Sequence, residues 1–175
     1  MKRQTERYPV KTANSLWQVY KTVPFFKVVK NFIVIQTARY TPFLSLKNRL
    51  YRTFLRMDVG DQAAVALMVM LDVMYPERIS IGKNTVIGYN TTILAHEYLI
   101  DEYRLGDVRI GDNVMIGANT TILPGVTIGD GAIVSAATLV HKNVPAGAFV
   151  GGNPMQVLRE PEGTAPGTPP AEERE

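Results

Sequence analysis

A six-residue period governs the second half of this chain. Written in sixes, residues 110–145 run IGDNVM, IGANTT, ILPGVT, IGDGAI, VSAATL and VHKNVP. Each opens on an aliphatic residue: Ile110, Ile116, Ile122, Ile128, Val134 and Val140. Upstream, Ile81, Ile87 and Ile93 open three more. The second position is Gly at 82, 88, 111, 117 and 129. The fifth is small or β-branched in eight of the nine, from Thr85 to Val144, and the third and fourth are rich in Asn, Asp, Gly and Pro.

A helix repeats every 3.6 residues and a half-buried strand every two, so neither explains a period of six. A short strand followed by a tight corner does, since Asn, Asp and Gly tolerate corner geometry. Three such strands close one triangular coil, and coils stack at the strand spacing of about 4.8 Å. The opening aliphatic then points into a narrow prism and lies over its equivalent one coil away. The small fifth residue shares that interior. The pattern predicts a mainly β fold, a parallel β-helix of hexapeptide repeats.

The period breaks once. From Ile93 to Ile110 is 17 residues, which is not a multiple of six. The segment between them is expected to leave the prism as a loop, and loops on rigid scaffolds often carry function. It holds His96, whose imidazole can accept a hydroxyl proton near neutral pH. Glu97, Asp101 and Glu102 stand close by as carboxylates that could orient the ring. Spacing does not choose among the three.

Residues 79–160 resemble the maltose, galactoside and nodulation-type O-acetyltransferases of the hexapeptide-repeat acyltransferase family. The resemblance rests on Ala95-His96, IGDNVMIG at 110–117, ILPGVTIGD at 122–130, VHKNVP at 140–145 and GGNPMQVLR at 151–159. The whole chain, including SLWQVY and FLRM, also resembles Bacillus-type acetyltransferases. The resemblance implies a left-handed coil and a homotrimer with its active site between subunits. It implies acetyl-CoA as co-substrate, with no metal, and a sugar or glycan hydroxyl as acceptor. His96 matches the general base. Ala118 and Ala136 match positions along the pantetheine arm, and His141 and Lys142 a pair near the CoA phosphates. Pro145 and the turn Gly151-Gly152-Asn153-Pro154 match the surroundings of the adenine, and Arg159 a basic residue near the 3′-phosphate. There are departures. Met115 stands where the family often has Trp, and Gln156 where it has a second Arg. The family's acceptor-binding Asn falls in the run VALMVML and has no counterpart.

The charge divides sharply. Residues 1–56 hold 12 Lys and Arg against Glu6 alone, and residues 57–175 hold 7 against 15 acids. The expected organisation is a basic helical segment over 1–60, the β-helix over 61–160 and a disordered Pro/Gly/Glu tail over 161–175. Within 15–56, Ser15 can cap one helix, Pro24 suits the first turn of a second and Pro42 starts a third. These helices fit a cap over an open prism end, or a layer on an anionic membrane surface. No recognition motif accompanies the charge, which disfavours nucleic acid.

The absence of cysteine excludes disulfides, Cys-based zinc and a thiol nucleophile. Two histidines, His96 and His141, argue against the three-histidine metal site of the carbonic anhydrases that share the fold. The start MKRQTERYPV lacks the apolar core of a signal peptide, so the expectation is a cytoplasmic protein, with residues 15–56 as a peripheral contact to the inner membrane face. A β-helix that binds partners without catalysis, and a membrane-associated acetyltransferase of envelope glycans, stay open as alternatives.

Overall fold

In the computed structural model, residues 2–11 and 13–161 are described. The hexads wind into a three-faced prism. The first face stacks Asp58–Val59, Ile79–Ile81, Val108–Ile110 and Thr127–Ile128 in parallel. The second stacks Ala64–Val65, Val86–Ile87, Met115–Ile116, Ile133–Val134 and Phe149–Gly151, closed by antiparallel Gln156–Arg159. The third stacks Met70–Leu71, Thr92–Ile93, Thr121–Ile122 and Leu139–Val140.

All nine expected openers are buried, none more than 3% exposed. They form three columns, for example Val65, Ile87, Ile116, Val134 and Val150 on the second face. The fifth-position threonines are buried too, and they turn their hydroxyls to corner carbonyls. Thr85 Oγ1 donates to the Gly111 carbonyl at 2.8 Å, and Thr138 Oγ1 to the Ser135 carbonyl at 2.7 Å. A small side chain with one donor thus fills the corner and satisfies a buried acceptor.

The corners follow from the same sequence rules. The fourth position takes positive φ at Asn84, Asn90, Asn113, Asn119, Gly125 and Gly131. The Asn side chains ladder from coil to coil, Asn84 Nδ2 donating to Asn113 Oδ1 at 2.9 Å. Second-position glycine is required by close approach: a Cβ on Gly117 would sit 2.3 Å from the Ala136 amide nitrogen.

A further coil lies upstream of the hexads found in the sequence. Val59, Val65 and Leu71 are its openers, with Ala63 and Val69 at fifth positions, all buried. The run VALMVML is therefore part of the prism, which begins at Asp58 rather than 61. Its corners use Gln62 and Met68 at positive φ, without the usual Asn or Gly.

The basic segment forms a short 3-10 turn at Ser15–Gln18 and three helices, α1 (Val19–Thr22), α2 (Phe25–Tyr40) and α3 (Leu44–Phe54). Ser15 does not cap the first; its hydroxyl donates to the Leu99 carbonyl at 2.7 Å. Ile35, Ala38, Tyr51 and Leu55 pack into one core with Val59, Val65 and Leu71, so the helices cover the open end of the prism. Lys47 is buried in this contact and donates to the Ala66 carbonyl at 2.7 Å. Burial lowers its pKa to about 8. One element departs from the expected all-helical segment: Glu6–Pro9 is a strand. The expected tail lies outside the described residues except for Pro161.

Ile116 sits between Ile87 and Val134 at the middle of its column. Ile116→Ala should therefore destabilise the protein by about 2–5 kcal/mol, read as a lowered urea midpoint at unchanged m-value. A change below 0.5 kcal/mol would contradict the stacked interior.

Candidate active site

The chain leaves the prism twice at the same edge, where the third face turns into the first. The first exit follows Leu71 and makes a 3-10 turn at Pro76–Arg78. The second follows Ile93 and makes a hairpin of His96–Tyr98 and Glu102–Leu105. Leu71 and Ile93 are register partners one coil apart. Residues 24 apart in sequence, Asp72 and His96, are thereby placed side by side.

His96 Nδ1 lies 2.5 Å from Asp72 Oδ2. The Asp72 side chain is fully buried and that of His96 is 17% exposed. Every other partner of this carboxylate is a donor: the Ala95 amide to Oδ2 at 2.7 Å, and the Met74 and Tyr75 amides to Oδ1 at 2.9 and 2.8 Å. Burial opposes the charge on Asp72, but the hydrogen bonds from His96 and these amides outweigh it and hold the carboxyl below its ordinary range. An ionised carboxylate accepts only, so Nδ1 carries the hydrogen, and in the neutral ring the lone pair is then on Nε2.

None of the three carboxylates expected to orient His96 is the one that meets it, and the geometry of the hairpin is the reason. Side chains alternate across a strand, so Glu97 points to the opposite side of the hairpin from His96. There it pairs with Arg3 at 3.0 Å. Glu102 is held by Arg7 at 2.8 Å and by Arg104 at 2.5 Å. The Arg7 contact, against the opposing effect of burial, lowers the Glu102 pKa, and Arg104 adds to it. Asp101 lies at the exposed hairpin tip, where its carbonyl accepts from the Val10 amide. The carboxylate at His96 is Asp72. One signal could have revealed it: the six-residue spacing of Val59, Val65 and Leu71, which carries the prism up to the residue before Asp72.

Aromatic rings wall the histidine. Tyr98 meets it edge-on at 5.1 Å between centroids, and Tyr75 lies 6.0 Å away. Tyr103 stacks on Tyr8 at 4.7 Å on the same side of the sheet. Burial raises the Tyr75 pKa to about 12, so the phenol stays protonated. Thr22 of α1 lies 3.0 Å from the Tyr98 hydroxyl, which ties the helical cap to the site.

On the other side of the hairpin lies a basic cleft of about 490 Å³ lined by Lys2, Arg3, Thr5, Arg7, Arg104, His141 and Lys142. The strand Glu6–Pro9 builds it by pairing antiparallel with Glu102–Leu105. The Gln4 amide anchors the arm further on, donating to the Gly125 carbonyl at 3.0 Å.

The other residues singled out in the sequence fall in separate places. Ala118 and Ala136 stack at the edge between the second and third faces, where the Ala137 amide donates to the Ala118 carbonyl at 2.8 Å. His141 and Lys142 stand at the next edge, after Val140. Pro145 follows in the last coil, and Arg159 is exposed opposite Phe149 on the closing strand. One chain does not bring these groups together.

Comparison with known proteins gives the context of this site. Residues 107–142 match the family described as bacterial transferase hexapeptide (six repeats). Over 156 residues the chain is 74% identical to the "Putative acetyltransferase YvoF" of Bacillus subtilis (strain 168), covering 89% of this chain and 91% of the relative. Among solved structures, the hexapeptide-repeat acetyltransferase VCA0836 of Vibrio cholerae O1 biovar eltor, complexed with acetyl coenzyme A, superposes with a TM-score of 0.65. The identity is 22%, over 77% of this chain and 86% of that one. A maltose O-acetyltransferase from Clostridium difficile 630 gives 0.63 at 23% identity, over 78% and 87%. The chain belongs to the hexapeptide-repeat acetyltransferase family, and its prism is the left-handed parallel β-helix.

Asp72→Asn places a donor among donors at a buried site. It should cost about 1–3 kcal/mol at pH 7. Because the folded pKa of Asp72 is lowered, the stability from its charged form is complete at neutral pH and lost as pH falls through that folded value. The gap between wild type and variant, measured by urea unfolding, should therefore close below the ordinary aspartate value of 3.8. A gap constant from pH 7 to pH 3 would contradict the assignment of charge.

Proposed function

We propose that this protein is an acetyl-CoA-dependent O-acetyltransferase that modifies a hydroxyl of a sugar or glycan, with His96 as general base. The buried Asp72–His96 pair carries the reading. Asp72 fixes the tautomer that leaves Nε2 free, and its negative charge stabilises the imidazolium formed when a proton is taken. The acceptor oxygen attacks the thioester carbonyl as Nε2 removes its proton. The tetrahedral adduct collapses, the carbon–sulfur bond breaks and the imidazolium returns the proton to the departing thiolate. Acetyl ester and free thiol are the products, and no acyl-enzyme is needed. The chain has no cysteine to form a thioester intermediate.

The sugar assignment rests on the motif resemblance and on the tyrosine wall. Tyr75 and Tyr98 offer apolar ring faces and hydroxyls beside the base, a combination suited to the CH faces and OH edges of a pyranose. The basic cleft with Lys142 suits the phosphates of CoA, where Arg3, Arg7 and Arg104 add charge beyond the pair expected from sequence.

Two features support the homotrimer that the resemblance implies. The groups assigned to the pantetheine arm and to the phosphates lie on different edges of one prism, so a groove between two prisms is the place where they can share one elongated ligand. The second face also carries an outward apolar column of Val86, Met115 and Ile133 in register, with Val86 47% and Met115 48% exposed. A neighbouring prism would cover it.

His96→Ala should lower kcat by about 10²–10⁴ with oligomeric state unchanged. Full activity in that variant on any acceptor the wild type uses would overturn the mechanism. Lys142→Ala should weaken acetyl-CoA binding by about 10- to 100-fold in calorimetric titration, the range of one charge-assisted hydrogen bond. Unchanged affinity would move the phosphates elsewhere.

A further inference from the structure

Helix α2 carries apolar side chains on two opposite sides. Ile35 and Ala38 face inward and belong to the core. Opposite them, at helical spacing, Phe25, Phe26, Val29, Phe32, Ile33 and Tyr40 face outward. Phe26 is 83% exposed, Tyr40 65% and Ile33 58%. Before α2, Tyr20 of α1 is 59% exposed and its ring meets that of Phe25 at 5.4 Å between centroids, and Trp17 of the preceding turn is 81% exposed. A surface helix of a globular protein has one apolar stripe, and a contiguous second one marks an interaction surface.

The charge around the stripe selects the partner. Residues 15–56, which form the turn and the three helices, hold eight Lys and Arg and no acid. Lys21, Arg49 and Arg56 are exposed and have no ion-pair partner among the described residues. Packing this face on the same face of a second copy would bring two strongly positive surfaces together. A bilayer rich in anionic headgroups meets both requirements: aromatic side chains enter the headgroup boundary while Lys and Arg remain at phosphate level. At 1.5 Å per residue, α2 is about 24 Å long and would lie flat. No helix among the described residues is long and apolar enough to cross a membrane.

We propose that the outer face of the turn at 15–18 and of α2 docks the protein on anionic phospholipid bilayers, with Trp17, Phe26 and Ile33 entering the interface. The inference stands apart from the acyl-transfer reading and is tested without it.

Trp17 is the chain's single tryptophan, so its fluorescence reports the contact directly. Full-length protein is mixed with vesicles of phosphatidylglycerol and phosphatidylcholine, or of phosphatidylcholine alone, and followed by flotation and by Trp17 emission. The expected result is flotation with the anionic vesicles, a blue-shifted emission and quenching by brominated acyl chains. Phe26→Ser with Ile33→Ser, both at exposed positions, should reduce partitioning by about tenfold or more with an unchanged circular dichroism spectrum. Two results would overturn the proposal. One is emission and flotation unaffected by anionic vesicles. The other is Trp17 already blue-shifted and shielded from acrylamide without lipid, with the double variant changing the oligomeric state; a second copy would then occupy the face.

Discussion

The interior of the prism admits one branched aliphatic side chain per face per coil, with a small residue at each corner. That restriction governs the rest of the molecule. Because the columns must stay in register, residues can be added only at corners, and each addition must return to the same column. The two insertions, after Leu71 and after Ile93, obey this rule and rejoin at Ile79–Ile81 and Val108–Ile110. The Asp72–His96 pair is a product of the stacking: the hydrophobic columns set the coil spacing, and the coil spacing sets the distance between carboxylate and imidazole. A packing requirement thus acts directly on the chemistry.

The hairpin that carries His96 separates two kinds of surface. One side presents the histidine among tyrosines, the other presents arginines and lysines. Glu102 lies among three formal charges with Arg7 and Arg104, and Arg3 meets Glu97. These pairs keep carboxylates away from His96 and leave a surplus of positive charge in the cleft. Strand alternation alone produces this division, since neighbours in sequence point to opposite sides.

Much of the fold was legible because the hexad is a strong local code. Openers, fifth-position residues and corner Asn or Gly all point to one geometry, and the buried columns follow from them. The first coil was harder to see. Its corners use Gln62 and Met68 where Asn is usual, and its second positions include Ala66 rather than Gly. The run therefore reads as plain hydrophobicity. Asp72 is hidden for a different reason: its relation to His96 passes through register between coils and shows only when the six-residue spacing is carried back through Val59, Val65 and Leu71, whereas the acids at 97, 101 and 102 are near in sequence and far in orientation. The strand Glu6–Pro9 has no alternation of its own and exists because the edge of the hairpin offers it unpaired backbone groups. The prolines marked the helices well, but they could not show that α2 would be apolar on both sides.

One edge of the prism collects Asp72, the His96 hairpin, the Gly125 carbonyl that receives the N-terminal arm, and His141-Lys142, each one coil above the last. Along it, position is quantised in steps of about 4.8 Å. A lineage of such proteins can exchange what stands on any step, or lengthen what leaves from it, without renegotiating the interior. The edge behaves as a rack with fixed slots, and a new acceptor requires only that a slot be refilled.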